Sequence, residues 1–91
     1  MDHMNFGEAL EALRKGRRVT RVGWNGKGMC LILTPGSTIT VEKGRPLAAV
    51  FPAGATIQYQ PHIDMRTAQE TIVPWAASQT DLLADDWMTE E

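Results

Sequence analysis

Asn25 and Gly26 constrain this chain more tightly than any other pair of residues. A two-residue Asn-Gly turn takes positive φ at both central positions and sends the chain back antiparallel to itself. The flanks suit such a hairpin. In "RRVTRV", Val19 and Arg21 alternate with Thr20 and Val22, and "MCLILT" is a nearly continuous apolar run that predicts a central strand covered on both faces. The stretch "GWNGKGM" around the turn is unusually bare, with Gly23, Gly26 and Gly28 beside Trp24 and Lys27. It is either plain turn chemistry or backbone kept open for a ligand to approach.

Upstream, "NFGEALEALRKG" predicts a helix with both ends marked. Asn5 and Glu8 have capping-box spacing, Phe6, Leu10 and Leu13 share a face, and Gly16 fits a left-handed C-terminal cap. Downstream, "TPGS" reads as a type II turn with Gly36 in its positive-φ place. "TITV" reads as a short strand, and residues 42–55 as a loop with one helical turn near Pro46. "TIQYQPHIDMR" alternates around a break at Pro61, and "QETIVPWA" is its hairpin partner. "SQTDLLADDW" predicts a second helix, capped by Ser78 with Leu82 and Leu83 inward, and a last edge strand runs from Trp87 to Thr89. The order predicts an α+β domain: a small, mainly antiparallel sheet, an N-terminal helix and a second short helix near the C-terminus. Residues 4–91 read as one domain and Met1–His3 as a leader left by cloning.

Composition narrows the function classes. With 91 residues, core burial gives a modest margin and assembly is a common remedy. The single cysteine, Cys30, excludes an internal disulfide, and its apolar neighbours favour a buried thiol in a reducing cytosol. No apolar run suits a membrane span, and the start lacks a secretion signal. Arg14, Lys15, Arg17, Arg18, Arg21 and Lys27 make the first third basic, while Asp85, Asp86, Glu90 and Glu91 crowd the end. That is too little positive charge for a DNA or RNA polymer, but enough to favour a small anion.

Catalytic and metal motifs do not appear. His62 lacks an evident ligand set and reads as a solvent-facing strand residue, Cys30 has no plausible base, and Asp85 and Asp86 read as solvated. Of the three tryptophans, Trp87 reads as core. Trp24 and Trp75 stand at loop edges, where an indole is either a lid on the core or a flat surface for stacking a base. The helix start at Ser78, beside Trp75, offers free N–H groups to an anion, although Asp81 in its first turn discourages phosphate and suits a hydroxyl or amine.

Two long blocks, "MNFGEALEALRKGRRVTRVGWNGKGM" and "IVPWAASQTDLLADDW", in that order in so short a chain, resemble a phage and prophage family, the Thoeris anti-defence family of the second type. The likeness covers Met4 to about Met29 and Ile72 to Trp87, and residues 42–55 carry no motif of it. The resemblance implies a molecular sponge. Such proteins bind the cyclic ADP-ribose isomer made by bacterial Toll/interleukin-receptor-domain enzymes, without degrading it and without a cofactor. They act as homo-oligomers, typically tetramers, in the cytoplasm of the bacterial host, and some also hold cyclic dinucleotides in separate pockets.

Carried onto this chain, the resemblance makes Trp24 and Trp75 stack on a base or cover a ribose. Asn25, Gly26 and Lys27 line a phosphate or base edge, and Met29 packs on a ring. Ser78 and Thr80 bond phosphate or sugar oxygens, and Asp81 a hydroxyl or amine. Arg66 is added from the hairpin outside the matched blocks, and Phe6 reads as core, with covering an adenine from the first helix as its alternative. Two rival readings stand beside the sponge: a nucleotide-processing enzyme that cleaves the signal, and a protein-interaction module anchored by the two tryptophans.

Overall fold

A computed structural model describes residues 3–24 and 28–90. In chain order the elements are α1 (Phe6–Arg14), β1 (Arg18–Arg21), β2 (Cys30–Thr34), β3 (Ser37–Thr40), a short 3-10 helix (Pro46–Ala49), β4 (Thr56–Tyr59), β5 (His62–Arg66), β6 (Ile72–Pro74), α2 (Gln79–Leu83) and β7 (Trp87–Glu90). The architecture is α+β, as the pattern predicts. A five-stranded sheet of order β6-β5-β2-β1-β7 is antiparallel throughout, and β3 pairs with β4 in a separate two-stranded sheet.

Local chemistry sets α1 firmly. The Asn5 side chain accepts the Glu8 N–H and the Glu8 carboxylate accepts the Asn5 N–H, closing the capping box. At the other end Gly16, at φ 85°, donates to the Leu13 carbonyl while Arg17 donates to the Ala12 carbonyl, the paired bonds of a Schellman stop. The helix buries Ala9, Ala12 and Leu13 on β1, β2 and β7, where Val19, Leu31 and the fully buried Trp87 complete the core. Each large side chain buried there stabilises the fold by about 1.5–3 kcal/mol.

The middle of the chain departs from the sequence reading. Pro35 and Gly36 do not make a type II turn, and Gly36 is not among the left-handed glycines. Instead β2 and β3 run on through them, opposite β5 and β4. Thr34 pairs with His62 and, three residues further on each side, Ser37 pairs with Tyr59, so the register passes through the break unchanged. Gly36 is needed for a different reason: a Cβ there would lie 2.8 Å from the Tyr59 carbonyl oxygen and 3.1 Å from the Pro61 ring. The result is one long ribbon from Cys30–Arg66 to Thr40–Thr56, extended by bonds between Val41 and both Gly54 and Ala55. Its outer half forms an arm tipped by the 3-10 helix, which is the helical turn expected near Pro46. The molecule measures 49 × 25 × 25 Å, with a radius of gyration of 16.1 Å. A compact chain of this length has about 12 Å.

Three smaller differences bear on the site. The connection from β1 to β2 runs from Val22 to Met29, longer than a two-residue turn, although the strands pair as expected (Val19 with Leu31). Only Cys30 and Leu31 of β2 are buried; Ile32 to Thr34 are half-covered as the strand leaves the core. And α2 is one turn, with Leu82 39% and Leu83 77% exposed rather than inward. A helix this short buries none of its residues.

Candidate functional site

The sheet delivers Arg21 at the end of β1, and the chain then bends back toward β7. Val22 N–H donates to the Asp86 carbonyl at 3.1 Å, Gly23 N–H to Asp86 Oδ2 at 2.9 Å, and Trp24 N–H to the Arg21 carbonyl at 3.1 Å. Arg21 itself is forked between two acids. Its Nε donates to Asp86 Oδ1 at 2.7 Å and its Nη1 to Asp81 Oδ1 at 2.8 Å, with the Arg21 side chain only 16% exposed. Asp86 is therefore an ion-pair partner and not the solvated residue expected. The Arg21 hydrogen bond, foremost, holds the Asp86 carboxyl below its ordinary range. Burial opposes ionisation of Asp81, but hydrogen bonds from Arg21, Ser78 and Trp24 outweigh it and lower that carboxyl too. Both acids raise the Arg21 guanidinium above its ordinary value.

On this brace stands an aromatic cluster. Trp87 is the centre, its indole N–H donating to the Asp81 carbonyl at 2.9 Å. Trp24 meets it edge-on at 5.3 Å and 79°, and Trp75 edge-on at 6.1 Å and 86°. Phe6 closes the cluster against Trp75 and Trp87, at 5.6 and 5.3 Å. Trp24 and Trp75, far apart in sequence, thus share one buried neighbour while each keeps part of its surface in solvent. The Trp24 indole N–H makes a long hydrogen bond, 3.4 Å, to Asp81 Oδ1. So Trp24, Trp75 and Asp81 come together, and Phe6 packs as core.

The remaining candidates divide. Ser78 Oγ accepts the Asp81 N–H and caps α2 at 3.0 Å. Thr80, two residues on, is exposed. With one turn of helix behind it, this end has little dipole to offer an anion. Met29 is half-buried, its carbonyl accepting the Thr20 hydroxyl at 2.8 Å. Arg66 reaches the far end of the turn, with Nη1 3.2 Å from the Gly28 carbonyl and Nη2 3.0 Å from Glu70. Its hydrogen bonds do not run to α2. Asn25, Gly26 and Lys27 lie outside the described residues. The two described glycines of the turn have internal duties: a Cβ at Gly23 would meet Asp86 Oδ2 at 3.1 Å, and one at Gly28 would meet Arg66 Nη1 at 2.7 Å.

Sequence reasoning missed two groupings. One is the Arg21–Asp81–Asp86 fork, whose members are some sixty positions apart. The other lies where the arm leaves the body: the Thr34 hydroxyl donates to Asp64 Oδ2 at 2.6 Å, and His62 Nε2 stands 3.3 Å from the same oxygen. His62 is half-buried and paired with an acid two residues on, a spacing that places both on one strand face. No cluster able to hold a metal occurs among the described residues. Burial raises the Cys30 thiol above its ordinary value, which suits a packed and unreactive side chain. Among the described residues no helix is long and apolar enough to cross a membrane. Open apolar grooves lie on the arm, one of them between Leu47, Phe51, Ile57 and Tyr59, away from the indoles.

Comparison with known proteins agrees with this arrangement of blocks. A curated protein described as Thoeris anti-defense 2, from Bacillus phage SP01, is 41% identical over 87 residues, covering 92% of this chain and 91% of its own. The family model for the Thoeris anti-defense 2-like domain matches residues 4–89, so that the chain belongs to that family.

Proposed function

We propose that this protein, whose family places it among proteins that counter the Thoeris defence, does so by sequestering a cyclic nucleotide signal, a cyclic ADP-ribose isomer, and leaving its bonds intact. One observation carries the reading: Trp24 and Trp75, each half-exposed, are held edge-on against the same buried Trp87. Fixed indole faces of that kind suit a base or a ribose, and stacking is worth about 1–3 kcal/mol per base.

Stacking alone is too weak for a sponge, which works by mass action and slow release. Nanomolar capture takes about 12 kcal/mol. Charge-assisted bonds to the pyrophosphate would supply more. Arg21 is locked between Asp81 and Asp86 at 16% exposure, so we assign this role to Lys27 and to Arg66, whose pair with Glu70 is open to solvent and can be exchanged for a ligand phosphate. Enclosure would supply the rest. Val22, Ile72 and Val73 are exposed on the segments that carry the two indoles, and Leu82 and Leu83 on α2. A second copy covering them, in a homo-oligomer such as a tetramer, would shut the site from water. We take the host cytoplasm as the place of action and cyclic dinucleotides as the second ligand class to screen.

The test is calorimetry of the protein against the cyclic ADP-ribose isomer, followed by denaturation and mass spectrometry of the released ligand. Tight binding with unchanged ligand mass and mobility supports the sponge. An altered product would make the protein an enzyme, and absence of heat would sink the reading.

A further inference from the structure

We infer that Arg21 is the positioning residue of the nucleotide site: its fork between Asp81 and Asp86 fixes the tilt of the Trp24 indole against α2. This deepens the reading above and rests on it.

The geometry is specific. The Arg21 guanidinium joins the end of β1 to α2 through Asp81 (2.8 Å) and to the entrance of β7 through Asp86 (2.7 Å). Each acid then holds one flank of Trp24. Asp86 Oδ2 accepts the N–H of Gly23, the residue just before it, and Asp81 Oδ1 accepts the Trp24 indole N–H itself. The bare Cα of Gly23 is part of the device, because a side chain would press on Asp86 Oδ2 at 3.1 Å. Asp81 is anchored in turn from below, where its carbonyl receives the Trp87 indole N–H. Backbone and indole of Trp24 are thus both referred to one cation. With Asp81 Oδ1 shared between Arg21 and Trp24, its first duty is to orient the indole and not to select a ligand hydroxyl.

A planar fork does this and an ammonium does not. Lysine keeps the charge but cannot hold two carboxylates in one plane at fixed angles. Arg21→Lys therefore separates geometry from charge.

The experiment uses the full chain. The indole N–H resonances are followed by two-dimensional NMR in the parent, Arg21→Lys and Asp86→Asn, with Trp24 assigned through Trp24→Phe. The affinity for the cyclic ADP-ribose isomer is measured in parallel. Both substitutions are expected to move the Trp24 indole resonance while that of Trp75 holds still. Affinity should drop about 10–100-fold, the scale seen at metal sites when an outer group that orients a ligating side chain is removed. A Trp24 resonance and an affinity unchanged in Arg21→Lys would overturn the inference. Should Arg21→Lys fail to fold, Asp86→Asn decides, since it leaves the Asp81 pair in place. Should the parent bind no ligand, the sponge reading falls, and the Trp24 resonance still tells whether the fork sets the indole.

Discussion

The Arg66 guanidinium closes over Gly28. Its Nη1 is 3.2 Å from the Gly28 carbonyl, and a Cβ on that glycine would come within 2.7 Å of the same nitrogen. Gly28 also has φ 78°, in the left-handed region. Gly28→Ala meets both penalties at once and is expected to cost about 1–3 kcal/mol in urea unfolding. It should also swing the Arg66 guanidinium off the turn. Stability equal to the parent would show that the turn adapts freely.

Gly36→Ala tests the ribbon joint. The added methyl would press on the Tyr59 carbonyl, a backbone atom that cannot step aside as a flexible side chain can. The joint should open, with loss of slow hydrogen exchange at Ser37 and Tyr59, while Leu31 and Val19 keep their protection. Uniform loss across the body would mean that arm and body unfold as one unit.

Asn5→Ala removes the side-chain half of the capping box on α1 and should cost about 1 kcal/mol, read from chemical denaturation. Ser78→Ala removes the equivalent bond from a five-residue helix, and its effect should be smaller. A large fall in nucleotide affinity from Ser78→Ala, with little change in stability, would instead mark the hydroxyl as a ligand contact.

Acid should weaken the fold through Asp81 and Asp86. Both carboxyls are held below their ordinary range when folded, so the unfolded chain takes up protons first as the pH falls. Their contribution is fully present above the usual unfolded value of about 3.9 and is lost as the pH drops through the folded values. The urea midpoint should therefore fall steeply below about pH 4, and Asp86→Asn should flatten that slope. An identical slope in the variant would place the acid sensitivity elsewhere.

Leu83 is 77% exposed on α2, so Leu83→Glu should leave the fold and melting behaviour of a single copy nearly untouched. If copies close over the indoles, light scattering after gel filtration should show a smaller species and the affinity for the cyclic nucleotide should fall. An unchanged assembly would remove α2 from the contact between copies.

Much of this was legible residue by residue. The ends of α1 and the pairing of β5 with β6 follow from caps, alternation and spacing within a few residues of one another. What was hidden depended on distant partners. "TPGS" has the chemistry of a turn, but Gly36 is bare because Tyr59 and Pro61 come close to it, and nothing near it in the chain says so. Arg21 read as a free cation for a ligand until the fold brought Asp81 and Asp86 to it. Leu82 and Leu83 read as inward because two adjacent leucines usually are; on a single turn at the rim they face out, where another chain can reach them. For the site, the sequence offered Trp24, Trp75 and Asp81 as separate ligand contacts; that they come together, with Trp87 as the post that both indoles lean on, became visible only in the fold.

The unbroken register of the ribbon separates reach from structure. The pairs on either side of the break, Thr34–His62 and Ser37–Tyr59, share one register, so two residues inserted in each strand would carry the tip outward by about 7 Å. Leu31 and Trp87 would stay where they are. The outer limb can thus be lengthened or trimmed without disturbing the aromatic seat.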